Sequence, residues 1–190
     1  VLAPSQAPVL YFPGMENTYD VIVVGAGVAG ASAAMYTGRF NLKTLMIGTQ
    51  PGGVITTTDS VENYPGILEI GGIEMGQLFI EHAKKFNAEL KMETVKSVAK
   101  DGGSGLFKVT TAKNEYHAKT VIFATGTEYK KLGVPGELEF AAKGVSYCAL
   151  CDGAFYRGKK IALVGGGDSA AIDANILNQF VDKVYVLVRK

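Results

Sequence analysis

The chain has 190 residues, 47% of them hydrophobic and 19% charged, and a formal net charge of +1. That balance fits a globular α/β protein and excludes the strongly basic or acidic surface that nucleic acid or an anionic membrane would select. The 24 glycines have no period, which excludes collagen, and no apolar run approaches the ~20 residues of a membrane span.

Val1 to Gly14 holds three of the six prolines, precedes Met15 and has no period, so residues 1–14 read as a leader or disordered tail outside the fold. Tyr19 to Val24 predicts a strand, Gly25 to Gly30 a turn, Ala29 to Phe40 a helix of small and apolar residues, and Lys43 to Ile47 a second strand, which together make one βαβ unit. Thr49 to Gly66 is a long loop rich in Gly, Thr and Pro. Gly72 to Phe86 predicts an amphipathic helix with Ile73, Leu78, Phe79, His82, Ala83 and Phe86 on one side. Val95 to Lys100 and Leu106 to Thr111 predict a hairpin around Asp101 to Gly105. Thr120 to Ala124 predicts a buried strand ending at Thr125-Gly126.

The pattern then restarts. Lys160 to Val164, Gly165 to Ala170, Ala170 to Phe180 and Lys183 to Val188 repeat strand, turn, helix and strand. The two units align without a gap: Gly25 meets Gly165, Gly27 meets Gly167, Phe40 meets Phe180 and Lys43 meets Lys183. The chain therefore divides near Gly126 to Glu137 into residues 15–126 and 127–190.

In Gly25-Ala26-Gly27-Val28-Ala29-Gly30 the first glycine permits a tight turn and the second a close approach to a pyrophosphate. The third lets helix pack on strand, and the helix N-terminus faces the anion. The acid expected about 20 residues on to hold a ribose is missing. That region reads Gly48-Thr49-Gln50, where Gln50 could accept the role. The second turn, Gly165-Gly166-Gly167-Asp168-Ser169-Ala170, carries Ala at the third position. Arg189 and Lys190 at the end of its second strand suit a 2′-phosphate, hence NADP over NAD, or are ordinary solvated strand-end charges.

The only two cysteines form Cys148-Ala149-Leu150-Cys151. They could be a redox disulfide, hold metal or simply pack. Zinc needs about four ligands and there is no second Cys pair, while His82 and His117 are distant in sequence, so the redox disulfide leads and no metal site is assigned. A lone C-x-x-C beside a βαβ pattern reads as intracellular, cytoplasmic redox chemistry. Asp152 reads as an acid/base for thiol exchange, as a helix cap, or as both.

These residues resemble the low-molecular-weight thioredoxin reductases from about Tyr19 to Lys190. Ser146 to Gly153 is similar to that family's Cys-Ala-Thr-Cys-Asp-Gly stretch, with Leu150 in place of Thr. Gly52 to Thr58 with Val61 to Gly66 is similar to its flavin-contacting loop, and Ala124-Thr125-Gly126 to its interdomain crossing. The resemblance implies Rossmann-like domains with a three-stranded β-meander: an FAD domain at 15–126 and an incomplete NADPH domain with the dithiol at 127–190. It implies that NADPH reduces FAD, that the flavin reduces Cys148–Cys151, and that the dithiol reduces thioredoxin with Asp152 as acid/base, in a homodimer. Gly25, Gly27, Val28, Ala29, Gly30, Gly48, Thr49, Gln50, Gly52, Gly53, Val54, Ile55, Asn63, Ala124, Thr125 and Gly126 would lie near FAD. Gly165, Gly167, Asp168, Ser169, Ala170, Arg189 and Lys190 would lie near NADPH. The family's Glu and Gln are replaced by Gln50 and Val54, and its His-Arg-Arg reads Val188-Arg189-Lys190. A ferredoxin-fed relative, a partner of a peroxide-reductase system, a non-catalytic redox sensor and a zinc module are the competing readings. Family members run on well past this length, so the chain reads as the N-terminal part of a longer enzyme.

Overall fold

The run Thr18–Val24 (β1) ends in four consecutive Val and Ile residues, all buried, as a strand covered on both faces requires. The computed structural model describes residues 17–189. The leader 1–14 and Lys190 lie outside the described residues. Residues up to Ser60 with Ile70–Thr127 form one compact unit, and Val61–Glu69 with the residues from Glu128 onward form a second.

In the first unit, β1 is followed by α1 (Val28–Arg39) and β2 (Thr44–Ile47), then by a 3-10 turn (Gly53–Thr57) and α2 (Gly72–Lys85). The strands β3 (Glu89–Lys91), β4 (Val95–Lys100), β5 (Phe107–Thr111) and β6 (Glu115–Phe123) complete it. The sheet order is β3-β2-β1-β6-β5-β4. The strands β3, β2, β1 and β6 run parallel, and β6, β5 and β4 form the antiparallel meander. One face, with Val21, Val23 and Met46, packs on Ala31 and Ala34 of α1 and Ile80 and Ala83 of α2. The other face, with Ile22, Val24, Leu45 and Ile47, gathers Val109, Tyr116 and Ala118 of the meander.

Three expectations change. The strand expected at Thr120 to Ala124 is β6 and begins at Glu115, because its first residues pair antiparallel with β5 while the rest run parallel to β1. Its end is not buried: Phe123 is 65% exposed. The strand β3 has only three residues, too few for a period to be read from the sequence. The buried side of α2 is Gly72, Met75, Gly76, Ile80 and Ala83, whereas Ile73 is 63% and Leu78 47% exposed. The reason is a close approach of backbones. A Cβ on Gly52 would stand 2.8 Å from the Cα of Gly76, so the glycine stripe of α2 faces the 3-10 turn and rotates Ile73 and Leu78 outward.

The second unit contains α3 (Ala149–Asp152), a 3-10 turn (Gly153–Tyr156), β7 (Lys160–Val164), α4 (Asp168–Leu177) and β8 (Lys183–Leu187). The repeat is exact to the residue in its strand register: Val21 pairs with Thr44 and Ile161 with Val184, Val24 with Ile47 and Val164 with Leu187. Both helices start immediately after the third residue of their turn, with Gly27 and Gly167 as extended N-caps. Among the described residues no helix is long and apolar enough to cross a membrane.

The buried face of α2 is directly testable. Met75→Ala should destabilise the protein by about 2–5 kcal/mol, and Leu78→Ala by about 0.5 kcal/mol, in urea unfolding. Equal losses would restore the face predicted from hydrophobicity alone.

Candidate functional site

The first glycine turn sits at the carboxyl ends of β1, β2 and β6, where open α/β sheets bind ligands. Gly25 has φ +118°, and a methyl there would overlap the carbonyl oxygen of Ala124. A methyl on Gly30 would in turn overlap the carbonyl oxygen of Gly25. Gly27 differs: it is extended, and a Cβ would stand 3.6 Å from the Cα of Gly53. Val28, Ala29 and Gly30 form the first turn of α1, which has no acidic residue and no side-chain cap. Its N-terminal N–H groups therefore present a positive end without competition from a carboxylate.

The loop after β2 closes over this turn. The Gly52 N–H donates to the carbonyl of Ala26 at 2.8 Å, and Gly48 lies against Ala26. Gln50 is partly committed: its Nε2 donates to the carbonyl of Gly53 at 3.2 Å and to Thr56 Oγ1 at 3.0 Å, so only its carbonyl end suits a ribose hydroxyl. Val54 and Ile55 ride on the 3-10 turn. Thr49 lines a small cavity of about 170 Å³ with Met92, Glu93, Thr94, Ala112 and Lys113, none of which carried a sequence signal. Ala124, Thr125 and Gly126 leave the end of β6 beside Gly25, and Gly126 has φ +70°. The structure thus brings the predicted residues of the first unit to one sheet end, apart from Asn63, which falls in the second unit.

The second turn is a looser copy. Gly165 has φ +156°, and a Cβ there would stand 2.9 Å from that of Ala170, so this turn accommodates the methyl that Gly30 excludes. A Cβ on Gly167 would meet nothing within 4 Å. Asp168 and Ser169 open α4, and Asp168 places a carboxylate in its first turn. Arg189 lies just beyond β8.

Cys148 and Cys151 are joined as a disulfide, with Cα atoms 5.3 Å apart. Cys148 caps α3, its Sγ accepting the Cys151 N–H at 3.1 Å, while Asp152 stands at the N-cap position of the following 3-10 turn without a side-chain capping bond. Cys151 is exposed and Cys148 half-buried. The carboxylate of Asp152 accepts the Ser146 hydroxyl at 2.5 Å, while Ser146 Oγ accepts the Cys148 N–H at 3.2 Å. Gly153 is buried because the helix end must pass close to α4: a Cβ there would touch Leu177 and Phe180 at about their van der Waals distance. Burial and the nearby Asp152 push the Tyr156 hydroxyl up.

Sequence reasoning missed a second carboxylate in this unit. Glu137 is only 5% exposed. It accepts N–H bonds from Leu132 at 2.9 Å and Gly133 at 2.6 Å, and the Tyr147 hydroxyl at 2.9 Å. The Leu132 N–H above all, helped by Tyr147 and Gly133, holds its carboxyl below the ordinary 4.5 against the opposing effect of burial. Burial and that carboxylate raise Tyr147 in turn. No motif marks Glu137; only its place in the Pro-Gly-Glu turn hints at a capping role.

The comparisons with known proteins meet this geometry. The family model for pyridine nucleotide-disulphide oxidoreductases matches residues 19–190. The chain belongs to that family. It is 51% identical over 177 residues to a thioredoxin reductase of Bacillus subtilis, covering 92% of this chain and 55% of the relative. It is 44% identical over 178 residues to one of Treponema pallidum, covering 93% and 57%. Among solved structures, the thioredoxin reductase of Streptococcus pyogenes superposes with a TM-score of 0.84 at 44% identity, over 90% of this chain and 55% of that one. That of Giardia duodenalis gives 0.84 at 36% identity, over 90% and 56%. The chain spans about half the length of the curated relatives it matches.

The two glycines of the first turn separate backbone need from ligand need. Gly25→Ala should cost about 3 kcal/mol or more, and Gly27→Ala about 1 kcal/mol or less, in thermal unfolding followed by circular dichroism. A Gly25→Ala protein as stable as wild type would contradict the contact with Ala124.

Because Glu137 titrates lower folded than unfolded, its stabilising contribution is present above about pH 4.5 and is lost as pH falls through the lowered folded value. The tyrosine near-ultraviolet dichroism should therefore hold from pH 7 to 5 and decline in acid. Glu137→Gln should flatten that decline, and an unchanged acid profile in the variant would dissociate Glu137 from it.

Proposed function

We propose that the protein acts in thioredoxin-disulfide reduction, with FAD bound by the first unit and NADPH by the second. The observation that carries the reading is the disulfide held on a single helical turn, with an exposed Cys151 and Asp152 as the next residue of the same turn. The printed names of its relatives support the same activity. The residues fit the two cofactors. Gly27 leaves space beside an uncapped helix end for a pyrophosphate in the first unit, and Gly167 leaves open space in the second. Gly25, Gly27, Val28, Ala29, Gly30, Gly48, Thr49, Gln50, Gly52, Gly53, Val54, Ile55, Ala124, Thr125 and Gly126 would hold FAD. Gly165 to Ala170, Arg189 and Lys190 would hold NADPH.

When bound, the two cofactors supply an electron pair. The chain's own part is thiol chemistry. Two electrons and two protons convert Cys148–Cys151 to a dithiol. One thiolate attacks the partner's disulfide and releases a partner thiolate, forming a mixed disulfide. The second cysteine then attacks the mixed disulfide, which restores Cys148–Cys151 and frees the reduced partner. Asp152, next in the chain to Cys151, would give a proton to the leaving sulfur or take one from the attacking thiol, and the Ser146 hydroxyl donates to its carboxylate. Homodimerisation and a cytoplasmic setting complete the proposal.

An anaerobic titration of the purified protein with NADPH tests it. Flavin absorbance should bleach, and electrons should pass to added thioredoxin in the wild type but not in Cys151→Ser. Flavin that NADPH leaves oxidised would refute the donor, and thioredoxin reduction by the serine variant would refute the role of the disulfide.

A further inference from the structure

We propose that Glu137 is a positioning residue for the redox disulfide and acts through Tyr147. The inference rests on the reading of Cys148–Cys151 as a redox couple and concerns how that couple is tuned. Glu137 ties together three stretches of chain: the Leu132-Gly133 backbone, its own turn, and Tyr147. Tyr147 immediately precedes Cys148. It is held at its hydroxyl by Glu137 and across its ring by Tyr129, stacked at 5.5 Å with the planes 14° apart. The next residue is tied as well, through the Cys148 N–H to Ser146 Oγ. The chain therefore enters the dithiol turn from a fixed point.

The chemistry of the anchor is specific. An ionised carboxylate is an acceptor only, and here it meets three donors and leaves no donor of its own. A glutamine would turn an amide N–H₂ toward one of those donors and lose at least one bond. Nothing in the mechanism proposed above uses Glu137, yet it is a buried acid in a unit with few buried side chains.

An anchored Cys148 meets Cys151 in the orientation that closes the bond, while a released one spends more of its time elsewhere once reduced. Loosening the anchor should therefore favour the dithiol over the disulfide. The clean variant is Tyr147→Phe, which keeps the ring and its stack on Tyr129 and removes only the hydroxyl. Glu137→Gln tests the other partner.

The purified wild type, Y147F, E137Q and the double variant are equilibrated in a dithiothreitol redox buffer, and the thiols counted by alkylation and mass. Y147F should shift the equilibrium toward dithiol by about three- to tenfold, and tenfold corresponds to about 30 mV for this two-electron couple. E137Q should shift it at least as far, and the double variant no further than E137Q. Y147F decides the matter even where E137Q fails to fold. Variants that lose thermal stability but keep the wild-type equilibrium within about twofold would make the anchor merely structural and overturn the inference. A wild-type pair that does not equilibrate with the buffer would instead take down the redox reading beneath it.

Discussion

The carbonyl oxygen of Ala124 stands where a side chain on residue 25 would have to be. That exclusion sets the rest of the first unit. Gly25 leaves β1 with its N–H given to Ile47 of β2, while the Ala124 N–H is given to Val24, so the turn departs bonded to strands on both sides. With φ at +118° the chain reverses at once, and α1 begins three residues later with Gly30 pressed against the Gly25 carbonyl. Only then can the Gly52 N–H reach Ala26 and draw the loop after β2 over the helix end. The start of α1 and the path of the loop over it both follow from three backbones packed without side chains between them.

The second unit shows the same device relaxed. Strand register and helix start are conserved between the copies, but the methyl of Ala170 holds its helix further from the turn than Gly30 does. The electrostatics differ as well. The first turn of α1 carries no acid, whereas Asp168 partly neutralises the positive end of α4. One βαβ frame thus presents two glycine turns and helix N-termini of different tightness and field.

What was legible in the sequence was what repeats or punctuates. The alternation of Val-Ile strands, glycine turns and small-residue helices located β1, α1, β2, β7, α4 and β8 because spacing alone carries them. The short strand β3 was invisible, since Glu89, Leu90 and Lys91 are too few to show a period and gain their strand only from β2 beside them. The buried side of α2 was misread because Gly72 and Gly76 have no hydrophobicity to count, although their four-residue spacing recorded the close approach. At the dithiol, the cysteines and Asp152 announced themselves. Ser146, Tyr147 and Glu137 did not, because their roles exist only through hydrogen bonds that the folded loop creates.

The two cysteines are separated by only 3 positions, so the bond closes a ring of chain far smaller than a structural crosslink usually spans. The loop-closure entropy it withdraws from the unfolded chain is correspondingly small, about 2 kcal/mol, and it ties no distant element to another. The strands and the helix α4 of the unit are joined by backbone hydrogen bonds and packing in which neither cysteine takes part. A crosslink of this kind adds little to the stability of the fold that carries it.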